Sequence, residues 1–277
     1  MKIVVILGRV LDPSGIVVKG RLGRIFVNRE EYVLHPADRC ALEAALCVKD
    51  TVGADVMALP RGPLPDDDVL RQALATGADR AVYLTGDELK DADDAVMARV
   101  LAAAVERLNE TGAPTVLVLI GATTLDTGQG QLGPRLAEAL GWSHISGAWR
   151  VEVADGQVRA VRQEATGYVT VEAGLPAVVM VPPGTHKLRY PDGVRLVNVY
   201  REKDAVERWN ANDLVDGGTL LSRPPDGEGG ARSALQPLLE KRGRDFPPER
   251  ARGERVMGTA EDMAQAVADA LEQRVRR

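Results

Sequence analysis

Three glycines at positions 128, 130 and 133 match the pattern G-x-G-x-x-G, between an apolar strand-like run and a helical run. Such a loop brings backbone N–H groups and a helix N-terminus close to an anion, and a phosphate fits that arrangement best. The stretch also carries Asp126, Thr127, Gln129, Gln131 and Leu132. A second reading makes it a plain strand-to-helix turn with Asp126 and Thr127 as local caps. An ordinary dinucleotide fingerprint follows the first strand of its unit. Here the loop follows the fourth, so a phosphate grip is expected without that particular fold signature. Replacing Gly130 with Val should then block close backbone approach to a phosphate.

Other residues carry possible chemistry. His35-Pro36-Ala37-Asp38 opens a helical pattern, with Pro suited to the first turn and Asp38 to the positive helix end. His35 can bond a phosphate or an adenine edge, or simply cap the helix. Arg61, beside Gly62, can reach a phosphate or stand as a solvated turn residue. Asp66-Asp67-Asp68 reads as helix N-terminal charge, because three adjacent carboxylates on a helix cannot all face one ion. Cys40 and Cys47 are the chain's two cysteines. They form no disulfide framework, and without clustered histidines they make no zinc site. His144, His186 and Arg189-Tyr190 read as structural. No Ser-His-Asp set or paired carboxylates can be argued from spacing, so no catalytic residue is assigned.

Elements to position these residues are legible. KIVVIL (2–7), ADVMALP (54–60), ADRAVYLT (78–85) and TVLVLIG (115–121) are strand-length apolar runs. Helical stripes separate them, giving four strand–helix alternations. That predicts an α/β fold of Rossmann-like kind, a parallel sheet with helices on both faces. From Trp149 through Pro182 the pattern alternates, with Asp155-Gly156 at a turn, and predicts antiparallel hairpins. A short helix is expected over 199–209. Beyond about 210 the chain is rich in Gly, Pro and Arg until TAEDMAQAVADALEQRVRR, a helix with Thr259 at its N-cap and Asp262 at N3. The expected division is 1–209, a nucleotide-binding α/β domain with a hairpin extension, and 210–277, an arm lying on a partner and closing in a helix. So long a structureless stretch is unusual inside a compact domain.

Composition bounds the class. The 277 residues are 45% apolar and 27% charged, which suits a globular protein rather than a disordered one. The net charge of −5 argues against a nucleic-acid partner. No apolar run reaches the roughly 20 residues that span a bilayer, so no membrane insertion is expected. The N-terminus reads as a strand rather than a signal peptide, so a cytoplasmic location is expected.

Several segments, in order, resemble the beta subunit of electron transfer flavoproteins. They are HPADRCALEAAL (35–46), RQALATGADRAVYLT (71–85), DTGQGQLGPRLAEALGW (126–142), LPAVV with RYP after it (175–191), and TAEDMAQAVADAL (259–271). The resemblance implies a heterodimer with an electron transfer flavoprotein alpha subunit, around which the C-terminal arm wraps. The redox FAD would lie mainly on the alpha subunit, and this chain would hold AMP or, as in electron-bifurcating members, a second FAD. Electrons would pass between a dehydrogenase or quinone oxidoreductase and a redox acceptor. Carried over by position, the nucleotide contacts fall on Ile6, His35, Pro36, Ala37, Asp38 and Arg61. The loop completes them with Asp126, Thr127, Gly128, Gln129, Gly130, Gln131, Leu132 and Gly133. This chain departs from the family at His35, where Asn is usual, at Ala37, where Phe is common, and at Thr185, where an anchoring Leu is expected. Gln131-Leu132-Gly133-Pro134 resembles the bifurcating pattern Gln-Val-Gly-Pro, but Gly128-Gln129 replaces the acidic-threonine pair that precedes it there. AMP and a second FAD both remain open on these residues. A standalone adenine-nucleotide-binding regulatory module, and a nicotinamide-dependent enzyme, are the alternatives.

Overall fold

In the computed structural model, residues 1–19, 24–110, 112–125, 128–216, 235–239 and 255–275 are described. Asp126 and Thr127, two of the expected loop contacts, lie outside them. The chain runs β1 (Lys2–Leu7), β2 (Arg9–Leu11), β3 (Ile16–Lys19), β4 (Arg24–Val27), β5 (Tyr32–Leu34), α1 (Pro36–Val52), β6 (Asp55–Pro60), α2 (Asp68–Thr76), β7 (Arg80–Thr85) and α3 (Asp94–Asn109). It continues with β8 (Thr115–Gly121), α4 (Leu132–Leu140), β9 (Ser143–Ile145), β10 (Ala148–Ala154), β11 (Gln157–Glu164), β12 (Gly167–Gly174), β13 (Ala177–Val181), α5 (Gly193–Arg201), β14 (Glu207–Asn210) and α6 (Ala211–Asp216). The last described element is α7 (Ala260–Val275).

Seven strands form one parallel sheet in the order β14-β7-β6-β1-β8-β13-β9. Every residue of β1 is buried, as a strand covered on both faces requires. Its alternate side chains feed two core layers. Ile3, Val5 and Leu7 pack with α1 and α2, whereas Val4 and Ile6 pack with α3 and α4. The order runs from β1 through β6 and β7 on one side and restarts with β8 on the other, so it reverses between β1 and β8. In such sheets ligands bind outside the carboxyl ends of the strands at that reversal.

The four expected strand–helix alternations are present. So is the hairpin turn, where Asp155 (φ 52°) and Gly156 (φ 72°) both take the left-handed conformation of a tight two-residue loop. The hairpin region is shorter than the alternation suggests. β10, β11 and β12 form a three-stranded antiparallel sheet, but AVVMV leaves it. As β13 it enters the parallel sheet between β8 and β9, with all five residues buried. The helix expected at 199–209 lies earlier, at Gly193–Arg201, and Glu207–Asn210 is a strand that extends the parallel sheet beside β7. Ala211 and Leu214, on α6, are buried in the α3 layer. The chain divides into compact units Met1–Glu240 and Lys241–Arg277.

In the second unit α7 carries the expected reciprocal cap. Thr259 N–H donates to Asp262 Oδ2 (3.1 Å), and Asp262 N–H donates to Thr259 Oγ1 (3.3 Å). Met263, Val267 and Leu271 stand exposed along this helix.

Candidate functional site

At the reversal point the ends of β1 and β8 are tied to the start of α1 by one carboxylate. Asp38, in the first turn of α1, is fully buried. Its Oδ2 accepts from Gly8 N–H (2.8 Å) and Arg61 Nε (3.0 Å). Its Oδ1 accepts from Gly121 N–H (3.0 Å) and from Arg61 Nη2. Arg61 Nη2 also donates to the Gly121 carbonyl (2.8 Å), and Arg61 N–H to the Leu7 carbonyl (2.7 Å). A buried charge is tolerable only when paired and hydrogen-bonded, and here four donors from three segments satisfy it. Two glycines make the approach possible. A Cβ at Gly121 would lie 2.2 Å from Asp38 Oδ1 and 2.8 Å from Ala37 Cβ, and one at Gly8 would lie 3.1 Å from Asp38 Oδ2.

Of the expected contacts, Asp38 and Arg61 therefore meet each other, and Ala37 is buried against Gly121. Pro36 fills the first helical position of α1. Ile6 is fully buried, in register with Leu59 and Ile120, its side chain in the α3–α4 layer.

The segment after β8 is tied largely to itself among the described residues. Ala122 N–H donates to the Val181 carbonyl (2.8 Å), Thr124 N–H to the Gln129 carbonyl (2.8 Å), and Gly128 N–H to the Thr124 carbonyl (2.9 Å). Gln129 N–H donates to Thr124 Oγ1 (3.1 Å). The three glycines have separate reasons. Gly128 has φ +67° and open space around its Cβ position. A Cβ at Gly130 would meet the Ala122 carbonyl oxygen at 2.6 Å, and one at Gly133 would meet Met180 Cγ at 2.7 Å. Gly130 and Gly133 thus answer to the chain's own packing, so Gly130→Val would displace the loop itself.

Gln131 occupies the N-cap of α4 but gives no side-chain cap. Its Oε1 instead accepts from Arg135 Nη2 (3.2 Å). Leu132 and Gly133 are buried at the start of the helix, and Gln129 and Gln131 are exposed. Burial pushes the half-buried Arg99 guanidinium down, and the charge of Arg135 adds to this against the pull of Asp93. A helix start without a side-chain cap, with Arg135 in its first turn, can receive an anion.

His35 joins the two halves. As the residue before α1 it is nearly buried, and two backbone N–H groups approach its ring. That of Leu125 is 2.7 Å from Nε2, and that of Ala37 is 3.3 Å from Nδ1. A neutral imidazole has one acceptor nitrogen. Only one of these two N–H groups can therefore be bonded to a neutral ring, and Nδ1 also lies 3.9 Å from Asp38 Oδ2.

The remaining residues singled out by type have structural partners. Asp66 pairs with Arg9, Asp67 with Arg71 (2.9 Å), and Asp68 with Gln72 (2.7 Å) and the Tyr200 hydroxyl. The acidic triplet is dispersed over separate partners. Arg189 ties its segment to α1 through Glu43 (2.9 Å) and Asp50 (2.9 Å). Cys40 Sγ contacts the His186 carbonyl (3.3 Å), and burial, reinforced by Glu43, pushes the Cys47 thiol up. Burial also pushes both His144 and His186 down. Among described residues no group of three or more His, Cys, Asp or Glu could hold a metal, and no helix is long and apolar enough to cross a membrane. Sequence reasoning missed Gly8, Gly121 and Leu125. A glycine at the end of a fully apolar strand, as in LVLIG, was the available signal for Gly121.

The electron transfer flavoprotein domain matches residues 24–213, more than half of the chain. A protein named electron transfer flavoprotein subunit beta, from Clostridium acetobutylicum, is 30% identical over 215 residues, covering 77% of this chain and 80% of its own length. Protein FixA of Bradyrhizobium diazoefficiens is 29% identical over 242 residues, covering 86% and 80%. The caffeyl-CoA reductase-Etf complex subunit CarD of Acetobacterium woodii is 27% identical over 261 residues, covering 94% and 93%. The chain thus belongs to the electron transfer flavoprotein family, as a protein like its beta subunits.

Proposed function

We propose that this chain is the beta subunit of a heterodimeric electron transfer flavoprotein and holds an adenylate, as AMP or as part of a second FAD, at the carboxyl edge between β1 and β8. The observation that carries the reading is the start of α4, which follows β8, lacks a side-chain cap and carries Arg135 in its first turn. Its first N–H groups, on Leu132 and Gly133, are donors suited to a phosphate. Gly128 leaves space on the open side of the loop, whereas Asp38 and Arg61 set its base and keep the two strand ends fixed. A bound flavin supplies the electron chemistry. The chain's own residues bind, orient and exclude water around it, which fits the lack of a nucleophile–base set in the sequence.

An alpha subunit is the expected partner. The relatives' names support this, one as a subunit of an Etf complex and another as a subunit beta. The exposed stripe of Met263, Val267 and Leu271 on α7 is the kind of face a partner covers. A dehydrogenase or quinone oxidoreductase would then exchange electrons with the complex.

Co-expression with an alpha subunit of the same family tests the reading. A co-purifying heterodimer that releases one flavin plus AMP, or two flavins, is expected from its absorption spectrum and extracted nucleotides. A stable monomer that binds AMP and joins no flavin-containing complex would favour the regulatory module instead. A nucleotide-free monomer would overturn both.

A further inference from the structure

We propose that Asp93 is the clasp of a strap. One oxygen of its carboxylate starts α3, and the other holds residues 235–239 there, which fixes where the chain leaves the first compact unit. The clasp belongs to this chain alone and depends on no adenylate or partner. Oδ1 accepts from the N–H groups of Ala95 (3.0 Å) and Val96 (2.9 Å), the ordinary work of a helix N-cap. Oδ2 accepts from the N–H groups of Leu238 (2.7 Å) and Leu239 (3.0 Å), 145 and 146 residues further along the chain. A cap needs only one oxygen, so the second pair of bonds is an addition. Burial works against the ionised carboxyl, but the N–H groups of Val96, Leu238, Leu239 and Ala95 outweigh it and hold the group below the usual carboxylate range. All four bonds are therefore charge-assisted and stronger than neutral ones.

A second contact makes this a strap rather than a stray turn. Leu235 is buried in the layer that α3 shares with Ala211 and Leu214 of α6. The segment is thus held by an apolar side chain at one end and by two main-chain N–H groups at the other. Leu238 and Leu239 have exposed side chains, so Asp93 grips the backbone alone. The first compact unit ends at Glu240, the residue after this grip, and the unit that carries α7 begins at Lys241. With the clasp closed, the chain sets out toward α7 from the start of α3 rather than from the end of α6 at Asp216.

Asparagine separates the two jobs. Its amide has one acceptor oxygen where the carboxylate has two. Asn caps helices as well as Asp does, and the cap closes over only two and three residues. The strap bonds span a far longer stretch of chain, whose ordering costs more. In D93N the oxygen therefore stays with α3, and the amide NH2 faces the two N–H groups of the strap.

Hydrogen exchange on the full chain reads both jobs at once. In the wild type the Leu238 and Leu239 amides are expected to exchange about tenfold more slowly, or slower still, than in an unstructured peptide, the scale set by a bond to a charged group. In D93N that protection should vanish, while Ala95 and Val96 keep theirs within about twofold. D93S, which also supplies one capping oxygen, should repeat the split. Wild-type strap amides that exchange at the peptide rate overturn the proposal, and that measurement needs no variant. Strap amides that stay protected in either variant overturn it too. So does a joint loss of protection in α3 and the strap, which would leave Asp93 a helix cap with no separate hold.

Discussion

The two halves of the candidate site are built on opposite plans. Around Asp38 every oxygen lone pair of use is occupied, the carboxylate is fully buried, and glycines at 8 and 121 let three segments close on it. After β8, Thr123, Leu125, Gly128, Gln129 and Gln131 are exposed, and α4 begins without a side-chain cap. The first half sets where the strands end. The second leaves room at Gly128, although Gly130 and Gly133 are bound by packing. Substitutions in the first should therefore act on stability, and in the second on binding.

The largest effect is expected at Asp38. Removing it in Asp38→Ala leaves Arg61 and the N–H groups of Gly8 and Gly121 without their acceptor in a buried place. Breaking a buried pair from one side costs about 3–5 kcal/mol. Denaturant unfolding should show a loss of that size, or no folded chain at all. A change below about 1 kcal/mol would mean that water reaches the pair and that the halves differ less than their burial implies.

A glycine contrast sharpens the same point. Gly121→Ala puts a Cβ 2.2 Å from Asp38 Oδ1, at the end of a buried strand where nothing can give. Overpacking of this kind costs about 1–3 kcal/mol. A Cβ at Gly128 meets no atom within 4 Å beyond its chain neighbours, and Asn tolerates the left-handed backbone at φ +67° better than other side chains, so Gly128→Asn is the mild counterpart. Its stability should stay within about 0.5 kcal/mol of the parent. Equal losses in thermal or denaturant unfolding would show that the loop is as constrained as the hub.

The difference between the halves also explains what the sequence discloses. The apolar runs of β1, β6, β7 and β8 are visible because burial on both faces writes an unbroken pattern into consecutive residues. β13 has the same signature in AVVMV, but it follows alternating strands and was read as one of them. β14, ERWN, is an edge strand with no such run, so only its pairing with β7 reveals it. His35-Pro36 marks the helix start by local chemistry alone. The role of Asp38 needs partners 30, 23 and 83 residues away, which no local window holds. The glycine triplet was legible as a loop, but the reasons for Gly130 and Gly133 lie in the Ala122 carbonyl and Met180.

The smallest expected effect carries two signs. Arg135 closes the first turn of α4, where a positive charge opposes the helix dipole, and its side chain is held only by Gln131 among the described residues. Arg135→Gln should therefore leave the nucleotide-free chain unchanged or more stable by about 0.3–1 kcal/mol. If an anion rests at the start of that helix, the same substitution should weaken its retention by roughly two- to fivefold, the same energy seen from the other side. The weakening should shrink as salt is raised, because exposed charges are screened over about 10 Å at 0.1 M. Unfolding curves of the free chain and nucleotide titrations at two salt concentrations measure both. Gain of stability with unchanged retention would leave Arg135 a misplaced surface charge and move the anion elsewhere along the edge. Loss of both would place Arg135 with the hub, and the division between a fixed half and a variable half would fail at the residue meant to mark it.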